Sequence, residues 1–164
     1  MNQDRTGNAP TVRVATTDDI DGCVALLIAS ITTLCAGDHL NDPPTLERWL
    51  RNKTSEHFGM WFADEENLIV VAELGSTLSG VALLKRNGTI HLCYALPGMQ
   101  RHGVGRALIR RIESEAASLG LRELALTSTG SARDFYERLG FTPNGAPSTA
   151  YGVLKQYPYV KVLG

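Results

Sequence analysis

Apolar residues along this chain follow two rhythms, a helical one and a strand one, and the change between them marks out the elements. Val12 to Ala15 reads as a short first strand. Thr16-Thr17-Asp18-Asp19 then offers side-chain oxygens ahead of Ile20, Val24, Leu27, Ile28, Ile31 and Leu34, a helical spacing that should run out near Gly37. A shorter helix is expected after Pro43-Pro44, through Leu46, Trp49 and Leu50. The middle of the chain turns to strands, at Trp61-Phe62, Asn67–Leu74, Leu78–Lys85 and Thr89–Leu96. Gly75-Ser76-Thr77 and Asn87-Gly88 are turn signals, so the last three of these form an antiparallel meander.

Helical spacing returns at Val104, Leu108, Ile112 and Ala116 and is stopped by Gly120. Glu123–Thr127 is another strand. Ser131 and Asp134 resemble a capping box for a helix with Ala132, Phe135, Tyr136 and Leu139 on one stripe, ending at Gly140. One or two last strands follow between Thr149 and Val162. The order is β-α-α-β-β-β-α-β-α-β(β), an α/β (α+β mixed) chain with a mainly antiparallel central sheet and helices on both faces. Residues 1–10, polar and rich in Asn, Gly and Pro, are expected to be a disordered tail, and 11–164 a single domain.

Composition narrows the function. The chain has 164 residues, 43% hydrophobic and 20% charged, with a formal net charge of -1. Such a balance sets up no field for nucleic acid or an anionic membrane surface, so an anionic ligand needs a local device. Cys23, Cys35 and Cys93 are odd in number and widely spaced, which fits reduced thiols rather than a zinc site or a disulfide framework. No apolar stretch approaches the roughly 20 residues of a membrane span, and the first ten residues lack a signal-peptide core. A cytoplasmic location is expected, with no metal.

The local device lies between the fourth strand and the next helix, at Pro97-Gly98-Met99-Gln100-Arg101-His102-Gly103-Val104-Gly105-Arg106. A helix N-terminus presents unpaired N–H groups and the positive end of the macrodipole, and glycines let the backbone approach a ligand. That combination suits a pyrophosphate, with Arg101 and Arg106 at the rim. No Gly-Lys-Ser/Thr follows, and Leu108 occupies the third glycine of a dinucleotide fingerprint, so neither nucleotide class fits. The Asn87-Gly88 hairpin also opposes a mononucleotide-binding α/β domain.

Gln100-x-x-Gly103-x-Gly105, five residues after Ala95, resembles the acyl-CoA motif of the GNAT superfamily of N-acetyltransferases. Some 30 residues on, the run from Ala132 to Phe141 resembles that family's second signature, a helix ending in Gly-Phe. The likeness extends over residues 11–163, and Ser30 to Asp38 resembles a small uncharacterised bacterial subgroup. It implies that the fourth strand carries a bulge and splays from the fifth, and that acetyl-CoA is the co-substrate. Cys93, Tyr94 and Ala95 would meet the pantetheine arm, with the thioester carbonyl polarised near Ala95. The amides of Arg101, His102, Gly103, Val104, Gly105 and Arg106 would hold the pyrophosphate, beside Gln100. Thr129 stands where the family often has Asn against the pantetheine.

Tyr136 matches the tyrosine that protonates the departing thiolate, although its stripe also suits the core. The general base is open. A carboxylate used by some members is replaced by Thr89. His91 is a candidate, with a core role as its alternative. His39, read as exposed, and Glu73 acting through water are weaker candidates. An alkylammonium with pKa about 10.4 needs only about 4 kcal/mol to deprotonate near pH 7.5, so a dedicated base is not required. Cys93 as an acyl-enzyme nucleophile is set aside in favour of packing. The implied activity is transfer of an acetyl group to the amine of a small-molecule or peptide acceptor. A catalytically silent acyl-CoA sensor or assembly module is the alternative. Cys35, Asp38, His39 and Trp49, with the tail from Tyr151 to Tyr159, are expected to line the acceptor pocket. Homodimers are common for this fold, and no residue here demands one.

Overall fold

The computed structural model describes residues 9–99 and 101–164. One eight-stranded sheet runs through it, in the order β1-β2-β3-β4-β5-β8-β6, with β7 also paired to β8. Strand β1 (Thr11–Val14) leads through a single 3-10 turn into α1 (Ile20–Leu34) and the short α2 (Ala36–His39). The turn is secured by Asp19, which accepts from the Thr16 amide at 2.7 Å and from both terminal nitrogens of Arg13 at 2.8 Å. Helix α3 (Pro43–Leu50) starts at an Asp42 cap, with prolines where their missing N–H costs nothing.

Helix α4 (Ser55–Ala63) was not expected. Trp61 and Phe62 look like strand residues in isolation, but Thr54 caps the His57 amide at 3.1 Å and Phe58 buries itself fully at helical spacing from them. The aromatic pair therefore ends a helix rather than opening a sheet. The meander then follows the turns: β2 (Asn67–Leu74), β3 (Thr77–Lys85) and β4 (Thr89–Ala95) pair antiparallel in sequence. Gly75 and Gly88 take the positive φ values, 61° and 98°, that these tight turns need. Helix α5 (Val104–Ser118), β5 (Glu123–Thr129), α6 (Arg133–Arg138), β6 (Thr142–Pro143), β7 (Ser148–Ala150) and β8 (Leu154–Val162) complete the chain.

Two apolar layers sandwich the sheet. Val70, Ala72, Ala82 and Leu84 meet Val104, Leu108, Ile109 and Ile112 of α5 on one face. Ile69, Val71, Val81 and Leu83 meet Leu26 and Leu27 of α1 and Phe58 of α4 on the other. Each fully buried Leu or Ile in these layers contributes about 1.5–3 kcal/mol relative to exposure. Helix α5 comes so close to β3 that a Cβ on Gly80 would lie 2.5 Å from a Val104 methyl.

Two irregularities in β4 shape everything that follows. The register against β3 slips by one, since Leu83 faces Leu92 while Leu84 faces Ile90. His91 is the extra residue of this bulge and has no cross-strand partner. Ile90 and Leu92, two positions apart, consequently pack into opposite layers. The second irregularity lies on the other edge. β4 runs parallel to β5 and pairs with it only at Thr89–Ala125 and Ile90–Leu126. Beyond Ile90 the strands part.

Candidate active site

The parting of β4 and β5 opens a cleft of about 530 Å³. Its walls are the far half of β4, the residues Leu126–Thr129 of β5, and side chains from α1 and α6. At one end stands the N-terminus of α5. Gly103 precedes that helix at φ 80° and has no side chain to cap it. The amides of Val104, Gly105 and Arg106 are left without intrahelical acceptors and border the cleft. Arg101, itself at φ 70°, also borders the cleft, as do Arg106 and Arg138.

The two loop glycines do different work. Nothing lies closer than 4.0 Å to a Cβ built on Gly103, so that position is dictated by its left-handed backbone. A Cβ on Gly105 would instead strike the Phe135 ring at 2.8 Å. Gly105 is thus required for α6 to pack against α5, a role distinct from ligand approach.

Most of the residues expected around a cofactor do line the cleft: Cys93, Tyr94, Ala95, Arg101, Gly103, Val104, Gly105, Arg106 and Thr129. His102 does not, and its amide turns back to the Met99 carbonyl at 3.4 Å. Gln100 lies outside the described residues, as do residues 1–8 of the expected tail.

Tyr136 projects from α6 into the cleft and is only 6% exposed. Phe135 and Phe141 hold its ring edge-on at 5.0 and 5.7 Å. Cys93 lies beside it, packed against the same core cluster. Burial, then the neighbouring Cys93 and Tyr94, push the phenol well above its ordinary value of 10, so it stays protonated at any physiological pH. Tyr136 is thus part of the core and at the same time borders the cleft. Cys93 is pushed up to about 12 by burial, which leaves a thiol and not a thiolate nucleophile.

A second, smaller cavity of about 230 Å³ lies against the same split. Trp49, Asn52 and Lys53 from α3 and its C-terminal end form one side, and Tyr151, Leu154 and Gln156 another. Both cavities are lined by His91, Tyr94, Thr127, Ser128 and Thr129, so they meet where β4 and β5 diverge. His91 touches Trp61 edge-on at 5.4 Å. His91 is exposed, so it is not a core residue. Desolvation by the surrounding chain, then Lys85 and Lys53, hold its imidazole below the ordinary 6.5, leaving it neutral at pH 7.

The remaining base candidates are corrected. His39 is fully buried, with Nε2 within 3.1–3.2 Å of the Ile31 and Thr32 carbonyls and Nδ1 accepting from the Asn41 amide. Both ring nitrogens are committed to closing the end of α1. Glu73 sits at the β1–β2 edge, 2.5 Å from Arg13, and lines neither cavity. Asp38 borders neither cavity; it accepts from the Ser131 amide at 3.0 Å and from the Ser131 hydroxyl, which is why Ser131 does not cap α6. Cys35 lines the larger cleft, while Trp49 and Tyr151 line the smaller one. Asn52 and Lys53 were not anticipated. Their only sequence signal is that Lys53 follows Trp49 by one helical turn.

A parallel pair that splays past a bulge, closed at one end by an uncapped helix, has a counterpart among known proteins. The acetyltransferase (GNAT) domain model matches residues 41–162. The chain belongs to the GNAT acetyltransferase family. A GCN5-related N-acetyltransferase from Rhodopseudomonas palustris superposes with a TM-score of 0.86 at 23% identity, covering 98% of this chain and 99% of that one. The PaiA N-acetyltransferase of Thermoplasma acidophilum, solved in complex with coenzyme A, gives 0.75 at 18% identity over 93% and 98%. A variant of the spermidine N-acetyltransferase SpeG of Vibrio cholerae gives 0.65 at 15% over 94% of each. No curated protein matches the sequence significantly. The GNAT fold expected from the motifs is the fold found. Among the described residues no three His, Cys, Asp or Glu side chains are grouped to hold a metal, and no helix is long and apolar enough to cross a membrane.

Proposed function

We propose that the protein transfers the acetyl group of acetyl-CoA to a primary amine, by direct attack, within a single domain over residues 11–164. The observation that carries this reading is the meeting of two cavities at the β4–β5 split. The larger has an uncapped helix N-terminus and three arginines for the pyrophosphate, with the edge of β4 free to pair with pantetheine. The smaller admits the acceptor from the opposite side. The nucleophile and the thioester would then converge beside His91, Tyr94 and Cys93.

The neutral amine attacks the thioester carbonyl, forming the C–N bond of a tetrahedral intermediate. Backbone amides near Ala95 would stabilise the oxyanion, an interaction worth about 3–4 kcal/mol for a well-placed donor. His91, neutral at pH 7, accepts the amine proton directly or through water. The C–S bond breaks, Tyr136 supplies a proton to the sulfur, and the resting state returns when His91 releases its proton to solvent and Tyr136 takes one up. Because its phenol is far from ionising, it enters each turnover as an acid. Such chemistry draws on the acetyl-CoA pool of the cytoplasm.

Calorimetric titration with acetyl-CoA and CoA tests the cofactor half. Micromolar binding to the wild type, abolished in Gly103→Arg, is the expected result. No binding at millimolar ligand would overturn the reading. Binding without turnover of any amine would leave only a CoA-binding module.

A further inference from the structure

The smaller cavity carries one formal charge, and that charge is positive. No Asp or Glu contributes to its lining. Lys53 is 6% exposed, and its ammonium donates to the Trp49 carbonyl at 3.2 Å and the Asn52 Oδ1 at 2.6 Å. Both acceptors are neutral, and an ammonium has three protons to place. Trp61 faces the same group at 5.8 Å, another neutral partner.

Lys53 is the one Lys or Arg among the described residues that is buried, and several more accessible cations do have carboxylate partners. Arg13 pairs with Asp19 and Glu73, Arg111 with Glu115, and Lys161 with Glu113. Lys53 has no carboxylate partner among the described residues, and desolvation alone accounts for its lowered pKa. A buried ammonium without a counter-ion costs several kcal/mol, and a ligand anion of matching position would recover part of it. The neutral His91 supplies no competing charge at pH 7.

The position is also informative. Lys53, Asn52 and Gln156 border the cavity together with His91, Thr127 and Thr129, which border the β4–β5 split. A molecule with its amine at the split would set its other end among these polar groups. The volume, about 230 Å³, falls below the roughly 300–1,000 Å³ that house drug-sized ligands. A polyamine would bring a second ammonium to a cavity that has no carboxylate to receive it.

We propose that the acceptor is a small amine that also carries a carboxylate, as an amino acid does, and that Lys53 binds this carboxylate. The inference rests on the acetyl-transfer reading and narrows its substrate class.

The test is a CoA-release assay on the full chain with each proteinogenic amino acid, its α-carboxamide, and spermidine. At least one free carboxylate acceptor should exceed its carboxamide tenfold or more in kcat/KM, chiefly through KM. Lys53→Met should abolish that preference, and Lys53→Arg should keep part of it. A calorimetric titration with CoA on each variant separates the two levels. Intact CoA binding with spermidine or the carboxamides preferred, with no carboxylate acceptor turned over, or with an undiminished preference in Lys53→Met, overturns the acceptor assignment alone. Loss of CoA binding in the wild type overturns the acetyl-transfer reading, and this inference with it.

Discussion

A Cβ on Gly105 would stand 2.8 Å from the tip of the Phe135 ring, so the N-terminus of α5 and helix α6 share one tight contact. Phe135 in turn packs edge-on against Tyr136 at 5.0 Å. Gly105→Ala should therefore displace Phe135 and disturb Tyr136, at about 1–3 kcal/mol for an overpacked contact. Phe135→Leu in the same chain should recover part of the loss, since it removes the struck atoms. Thermal unfolding of the two single variants and the double variant measures this coupling, and strictly additive effects would show that the contact is inconsequential.

Tyr136→Phe removes one hydroxyl and little volume. If that hydroxyl protonates the leaving sulfur, kcat should fall about 10²–10⁴-fold, the usual range for general acid–base catalysis, while CoA affinity changes little. A phenol held well above 10 adds no ionisation of its own below that pH. The wild-type rate should accordingly show no alkaline limb from this group up to pH 9. An unchanged kcat in the variant would assign Tyr136 to packing with Phe135 and Phe141 alone.

His91 should titrate below 6.5, for desolvation and for the charges of Lys85 and Lys53. As a base it would put an acid limb on kcat/KM below that value, and His91→Gln should flatten the limb and lower the plateau at least tenfold, within the range for proton-transfer groups. Removing the Lys53 charge removes one of the causes. The His91 imidazole in Lys53→Met should therefore titrate at higher pH by NMR, and no movement would mean that the two groups do not sense each other.

Local signals in the sequence account for the meander and the loop. Gly75 and Asn87-Gly88 specify their turns through backbone conformation, which needs no knowledge of the rest of the chain. The Gly103 position is legible for the same reason. What escaped the sequence depends on distant partners. The family resemblance implies a bulge in β4, but its place at His91 is fixed only by the register against β3. Ser131 has the spacing of a cap, yet Asp38, 93 residues away, takes its amide and hydroxyl. Helix α4 shows the limit of propensity. Its aromatic pair suggested a strand until the Thr54 cap and the burial of Phe58 against α1 are taken together. Lys53 is the clearest case. A lysine beside Arg51 and Asn52 reads as solvated, and only tertiary packing places it under cover.

That cover makes Lys53 costly to the fold. Burial lowers its pKa from 10.5 to about 8, so the folded chain binds its proton less tightly than the unfolded chain does. The penalty is fully present below pH 8, at up to about 3 kcal/mol by proton linkage. Between pH 8 and 10.5 the unfolded state retains the proton more than the folded one, so this contribution to stability improves as pH rises. Lys53→Met should then be more stable than wild type at pH 7, and the gap should narrow by pH 10. Denaturant unfolding at the two pH values checks the sign. A variant less stable than wild type at pH 7 would show that the two hydrogen bonds to Trp49 and Asn52 outweigh the buried charge. A group that weakens the fold at neutral pH is better explained by what it binds than by what it supports.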